Sequence, residues 1–568
     1  MIRITGQLVD IFAEKIYPAE VTLDDGIVRS ITRLERGDAR FAQQSPYILP
    51  GFIDAHVHIE SSLLIPSEFA RLATVHGTIA TVSDPHEIAN VCGLPGVEFM
   101  INNGKTVPFY FNFGAPSCVP ATTFETSGAT LSVAKVKELL QKEEIKYLSE
   151  MMNFPGVLHR DIDVMSKIAA AHHVSKPVDG HAPGLRGAQA KQYIDAGIST
   201  DHECFTAEEA LEKLKYGMKI LIREGSAARN FDALVPLLNE YSKQMMFCSD
   251  DKHPDSLLVG HINQLCARAV AKGIPLFKVL KAACLNPVLH YHLNSGLLQV
   301  GDPADCIVVE DLKDFKVLKT YIKGQLVAEN GNPRIASTHL VSSPPPTSGA
   351  SMLEADPINN FNATPRTPAD FAYPLDKWGE QENVEQVYVI EALDGQLITN
   401  KLIAPVIDVN PNDGLLESNV EKDILKIVVV NRYGPAPVAK SFIKNFGLKR
   451  GAIASSVAHD SHNIVAVGVD EESICKAVNL IIAEKGGLAC VDSEGGELIL
   501  PLPVAGLMSL QDGFAVAEAY TALDHMAKGL GSSLRAPFMT LSFMALLVIP
   551  HLKLGDLGLF DGDGFRLV

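Results

Sequence analysis

This 568-residue sequence is short of several things, and each shortage excludes a class of protein. No apolar run approaches the roughly 20 residues that a membrane span needs, so a membrane partner is not expected. No two of the nine cysteines stand at C-x-x-C spacing, and nine is an odd number. That pattern suits reduced thiols in the cytoplasm better than a disulfide framework. There is no P-loop and no G-x-G-x-x-G, so nucleotide phosphates are not expected ligands. Positive charge is scarce: 49 Lys and Arg face 67 Asp and Glu, for a net charge of -18. A phosphate backbone would be repelled, which argues against a nucleic-acid partner, although a free base carries no phosphate and escapes that argument. The opening Met1-Ile2-Arg3-Ile4-Thr5-Gly6 reads as a strand rather than a signal peptide. No internal repeat of fixed period is present.

What is present describes a globular chain of two or three domains, 47% hydrophobic and 20% charged. Residues 1–48 read as short strands, with Asp24-Asp25-Gly26 as a hairpin turn between Ala19–Leu23 and Ile27–Ile31. Residues 296–340 hold a second set, Cys306–Val309, Lys316–Lys323 and Gln325–Val327. The two flanks are expected to form one small β domain. Between them, residues 49–295 alternate apolar strands with helical stretches such as Ser132–Leu140, which argues for a parallel sheet with crossover helices. About 250 residues is the usual size of a (β/α)8 barrel. The stretch 341–384 has linker composition, with Pro344-Pro345-Pro346 and prolines recurring to Pro374. Residues 385–568 read as a C-terminal α/β domain, with Ile424–Val430 a buried strand and Glu471–Lys485 a helix capped by Asp470 and stopped by Gly486-Gly487.

The chemistry concentrates around Pro50-Gly51-Phe52-Ile53-Asp54-Ala55-His56-Val57-His58. Apolar Ile48, Leu49, Phe52 and Ile53 predict a buried strand, and period two puts His56 and His58 on one face at its end. A bare His-x-His is more often a hydrogen-bonded surface pair. Further candidates at strand ends reverse that prior, because barrels place their chemistry there. Glu150 lies in a short apolar segment, His181 and His202 follow successive strands, and Asp250 ends the apolar run Met245–Cys248. Each has a bland reading of its own: a surface glutamate, structural histidines, an N-cap aspartate. Together, four imidazoles and two carboxylates exceed the three protein ligands of one catalytic zinc, which predicts two divalent transition metals. Glu150 is the candidate bridge. Mixed imidazole and carboxylate ligands suit manganese, iron or zinc. Asp84 and His86, in Asp84-Pro85-His86-Glu87, read as a turn, as a substrate contact or as holders of an extra metal. Asp201 and Glu203 flank His202 and are candidate outer partners of it. Cys248-Ser249 is discounted as a nucleophile, since no general base is specified for it.

The Pro-Gly-Phe-Ile-Asp-Ala-His-Val-His run resembles the first-strand signature of the amidohydrolase superfamily. Ile59-Glu60-Ser61-Ser62 and Ser83-Asp84-Pro85-His86-Glu87 resemble more specifically the bacterial adenine deaminases, and the likeness extends through the C-terminal third. The Gly301-Asp302-Pro303-Ala304-Asp305 run resembles the return into an amidohydrolase β domain. The resemblance implies hydrolytic deamination of adenine to hypoxanthine and ammonia by a metal-activated hydroxide, in purine salvage. It supports Glu150, rather than the distant Lys146, as the bridge. The residues alone support hydrolysis at an sp2 carbon, with Asp250 as base and Glu150 or Glu203 as proton carrier. A homo-oligomer is expected. The alternatives are another amidohydrolase acting on a cyclic amide, a metal-binding protein without catalysis, and a C-terminal module that binds independently. In that module, Ala458-His459-Asp460-Ser461-His462-Asn463 reads first as a solvated turn and second as a loop covering the barrel mouth.

Overall fold

In the computed structural model the chain opens with three antiparallel strands, β1 (Ile2–Asp10), β2 (Lys15–Asp24) and β3 (Ile27–Arg33). The residues described are 1–35, 38, 45–337, 357–374, 385–412 and 414–568. Asp25 and Gly26 turn the β2–β3 hairpin with φ of 52° and 74°, as a type I′ turn demands. Strand β4 (Tyr47–Leu49) pairs in parallel with β1. Only Pro50 and Gly51 separate it from β5 (Phe52–Val57), yet the two strands belong to different sheets. The buried strand expected from Ile48 to Ile53 is thus two strands, since Pro50 cannot donate to a ladder. A Cβ on Gly51 would stand 2.5 Å from the Ile79 side chain, so the junction takes only glycine.

From β5 onward parallel strands alternate with helices: β6 (Thr78–Ser83), β7 (Tyr110–Ala115), β8 (Ile145–Met151), β9 (Val178–Gly180), β10 (Thr200–Asp201), β11 (Lys219–Arg223) and β12 (Met245–Cys248). Strands β5 to β9 form one parallel sheet and β10 to β12 another. A parallel bridge joins Val57 to Asp250, and the Asp250 N–H donates to the His56 carbonyl at 2.9 Å. Strand residues are almost all buried, as expected where helices cover a parallel sheet. The arrangement is TIM-barrel-like. The helix expected near residues 132–140 spans Val133–Leu140, its first turn capped by Ser132, which accepts from the Lys135 N–H.

The chain then adds β13 (Cys306–Val309), β14 (Val317–Ile322), β15 (Gln325–Glu329) and β16 (Asn332–Pro333). One eight-stranded sheet holds both flanks, in the order β16-β15-β14-β13-β4-β1-β2-β3.

The C-terminal third carries a second eight-stranded sheet, antiparallel in every pairing except Gln386–Ala392 with Ala439–Lys444. The α/β label expected there conveys its content but not this direction. Ile424–Val430 is fully buried within it. The helix Glu471–Ala483 starts at its Asp470 cap and ends two residues short of Lys485. Of the expected linker, 341–356 and 375–384 lie outside the described residues. The part at 357–374 is docked rather than free: Phe371 and Tyr373 are buried, and the Tyr373 hydroxyl lies 2.6 Å from the Ser441 carbonyl. Among the described residues no helix is long and apolar enough to cross a membrane.

Candidate metal centre

Strand periodicity and parallel pairing bring the expected ligands together. His56 lies in β5 and His58 one residue past it. Glu150 is the penultimate residue of β8, His181 and His202 each follow a strand directly, and Asp250 comes two residues after β12. All six side chains are buried. Their donor atoms converge. His58 Nε2 is 3.2 Å from His56 Nε2, 3.1 Å from Asp250 Oδ1 and 3.4 Å from Glu150 Oε1. Glu150 Oε2 is 2.8 Å from His181 Nδ1 and 3.1 Å from His202 Nε2. Glu150 thus stands between two groups of imidazoles.

The donor set can be tested for a cation. The His58 Nδ1–H faces the Asp84 carbonyl oxygen at 3.2 Å, so in the neutral ring Nε2 is a bare lone pair. That lone pair points at a second imidazole nitrogen and at two carboxylate oxygens, an arrangement that needs positive charge between them. His56 Nδ1, His181 Nε2 and Glu203 Oε2 are buried with no hydrogen-bond partner. Unpaired buried polar atoms cost free energy unless something fills the site. The residues fit divalent metal.

Two neighbours tune this cluster. Arg223, at the end of β11, reaches both Glu203 Oε1 and Asp250 Oδ2 with Nη1. Burial on its own would raise the Asp250 carboxyl. The Arg223 guanidinium and the contacts to His56 and His58 outweigh it and hold Asp250 well below the usual carboxylate range. Glu203 is lowered in the same way, burial being overcome by Arg223 and His181. Asp54, from the first-strand run, accepts from the Ser249 N–H at 2.9 Å and lies 2.7 Å from His261 Nε2. It ties β5 to the segment that carries Asp250.

Not every expected residue reaches the cluster. Asp201 turns away: its Oδ2 pairs with Lys213 Nζ at 2.6 Å and its Oδ1 accepts from the Glu203 N–H at 2.9 Å. Asp84 and His86 border it, with His86 Nδ1 3.1 Å from Asp84 Oδ2 and 3.6 Å from Glu150 Oε1. Sequence reasoning missed Arg223, although Lys219–Arg223 is an apolar strand ending in a charge, the same signal that marked Asp250. It also passed over Glu87 and Asp251, each one residue from a chosen one.

The C-terminal loop is no solvated turn. His459, Asp460 and His462 are 3%, 2% and 1% exposed. His459 Nε2 lies 3.1 Å from Glu87 Oε1 and 3.2 Å from Asp251 Oδ1, and Asp251 accepts from Ser61 Oγ at 2.6 Å. His462 accepts from the Ala458 N–H at Nδ1, so its Nε2–H donates to Glu87 Oε2. His459 and Asp460, with Leu397 and Leu546, roof a cavity whose floor is the histidine cluster. Away from the cavity the same seam is held by the Tyr520 hydroxyl, 2.6 Å from His253 Nδ1, and by Arg71 with Asp512 at 2.6 Å.

Comparison with known proteins agrees with this two-part construction. The amidohydrolase family model matches residues 47–327, and the adenine deaminase C-terminal domain model matches residues 396–566. An adenine deaminase of Sulfurovum sp. is 54% identical over 561 residues, covering 99% of this chain and 98% of that one. One from Salinibacter ruber is 51% identical over 567 residues (100% and 98%), and one from Methanosarcina acetivorans 50% over 571 (100% and 99%). Floor and roof both fall within matched segments, and identity at this level runs the length of the chain. The chain belongs to the adenine deaminase family of amidohydrolases.

Proposed function

We propose that this protein hydrolyses adenine to hypoxanthine and ammonia in the roofed cavity. The observation that carries the reading is the convergence of six buried donors from the ends of parallel strands beneath a lid made by the family's own C-terminal segment. We read the two parallel sheets as one closed (β/α)8 barrel, joined at the Val57–Asp250 bridge. His56, His58, Glu150, His181, His202 and Asp250 would hold two divalent ions, manganese or iron before zinc, with Glu150 between them. When bound, such ions supply the Lewis acidity that makes water a nucleophile near neutral pH.

The chain's residues do the rest. Asp250, ionised beside Arg223, accepts the proton of the attacking water as oxygen adds to C6 of the purine. The adjacent ring nitrogen must gain a proton in that addition, and the amino group must gain one to leave as ammonia. Glu203 fits this carrier role better than Glu150: its Oε2 is unpartnered, whereas both Glu150 oxygens face imidazoles. Leu397, Leu546 and Met152 supply apolar wall and keep bulk water out. Water and adenine in, hypoxanthine and ammonia out, balances the reaction.

The test is ammonia release by metal-loaded enzyme from adenine, adenosine and cytosine, beside ring opening of dihydroorotate and hydantoin. Adenine alone should be consumed rapidly. Ring opening without ammonia from adenine would transfer the site to the cyclic-amide hydrolases.

A further inference from the structure

A further group of closely spaced donors lies at the seam between barrel and roof. His86 Nε2 is 3.3 Å from Glu87 Oε1 and 3.5 Å from Asp460 Oδ1. The donor atoms of these three residues all lie within 4.8 Å of one another. His86 Nε2 and Glu87 Oε1 are buried and have no hydrogen-bond partner, and the same holds for Asp460 Oδ2, the oxygen next to the one that faces His86. The residues carrying them are 2%, 1% and 2% exposed. Atoms bound at about 2.1 Å to one ion stand about 3.0–3.4 Å apart along the edges of an octahedron or tetrahedron. The two seam contacts of His86 Nε2, at 3.3 and 3.5 Å, lie within and just beyond that range.

We infer that the seam is a separate cation site, in which His86, Glu87 and Asp460 hold one divalent transition metal and so fasten the C-terminal segment to the barrel. Mixed imidazole and carboxylate donors suit manganese, iron or zinc. The surroundings prepare each donor. His462 occupies Glu87 Oε2, while Oε1 faces His86 Nε2 at 3.3 Å and His459 Nε2 at 3.1 Å. Asp84 Oδ2 lies 3.1 Å from His86 Nδ1 without hydrogen-bond geometry, and Nε2 is the nitrogen that faces Glu87 and Asp460. The ring of His86 thus presents one edge to the barrel cluster and the other to the seam. Two donors come from the start of the helix His86–Cys92 that follows β6 and the third from a residue 373 positions beyond Glu87, so the ion would join parts far apart in the chain.

The experiment counts metal in the full chain. Wild type, Asp460→Asn and Glu87→Gln are purified from manganese-supplemented medium and dialysed against metal-free buffer. Manganese per chain is then measured by elemental analysis, and folding by circular dichroism. Each folded variant should carry about one ion per chain fewer than wild type. The quantity read is that difference, so it does not depend on whether the barrel holds one ion or two, or on adenine being the substrate. Equal metal content in wild type and both variants would overturn the inference. Should an amide variant fail to fold, Asp460→Ser replaces it with the same expectation. Added manganese should also raise the melting temperature of wild type more than that of the variant, and an equal rise would count against the site.

Discussion

Floor and roof of the cavity are made in opposite ways. The floor draws single side chains from strands spread between His56 and Asp250, each delivered to one rim by parallel pairing. The roof draws His459, Asp460 and His462 from one short loop, and its histidines rest on Glu87 and Asp251 rather than on the floor's own ligands. A floor assembled by a sheet is rigid and has its geometry set by strand register. A roof made from a loop takes its place from packing against the barrel, through its histidines on Glu87 and Asp251 and through Asn463 Nδ2, which donates to the Thr126 carbonyl. The comparison therefore assigns chemistry to the floor and enclosure to the roof, and four variants can break or sharpen it.

The largest effect is expected for Asp250→Asn, which removes the proposed base and weakens a proposed ligand. Turnover should fall about a hundredfold or more, the range for losing a general base. A variant keeping more than about a tenth of wild-type turnover would take the base out of the floor. Next is Arg223→Met, which strips the shared cation from Glu203 and Asp250. Breaking a buried pair on one side costs about 3–5 kcal/mol, readable in denaturant titration of the metal-free protein. The pH sign follows. Both carboxyls are depressed in the folded state, so their contribution to stability is present above the unfolded carboxylate pKa and is lost as pH falls through the lower folded one. Without Arg223 the acid limb of both stability and activity should move up towards neutral pH. An unmoved limb would separate Arg223 from the mechanism.

Replacing His459, Asp460 and His462 together by alanine tests the roof. Adenine turnover should drop about tenfold through loss of enclosure, while the ions of the floor remain. A loss as deep as that of Asp250→Asn would erase the division of labour, and unchanged kinetics would make the roof ornamental. The smallest effect is expected for Tyr520→Phe, at the seam but away from the cavity. Losing its hydroxyl contact to His253 should cost about 0.5–1.5 kcal/mol of stability and leave turnover as it was. Altered turnover there would mean that the seam transmits strain to the floor.

The same contrast explains what could be read from the sequence. A floor residue announces itself locally: His56 and His58 two apart at the end of an apolar run, or Asp250 closing Met245–Cys248. Strand period and burial turn such patterns into positions, which is why the six expected side chains meet. The roof has no such grammar. Ala458 to Asn463 is six residues of mixed polarity, and only long-range packing decides whether such a loop faces water or Glu87. Arg223 carried the local signal and was passed over because a strand ending in a cation was not being sought beside a metal. Asp201 carried it too, and its carboxylate is taken up by Lys213, a long-range pairing that no local pattern announces. Sheet direction in the C-terminal third was equally hidden: hydrophobic runs mark strands without saying which way their partners run.

The two residues Pro50 and Gly51 have a consequence for anyone wishing to cut this protein down. Strand β4 is an inner member of the flank sheet, and three residues after its end the chain is already inside the strand that carries His56 and His58. There is no spare length in which to place a cut, and Gly51 packs too tightly on Ile79 to accept a new terminus with a side chain. A fragment begun at residue 51 would keep every proposed ligand and lose the neighbours that hold the first of them in register. Modular in its sequence matches, the enzyme is seamless at the point where a protein engineer would first reach for the scissors.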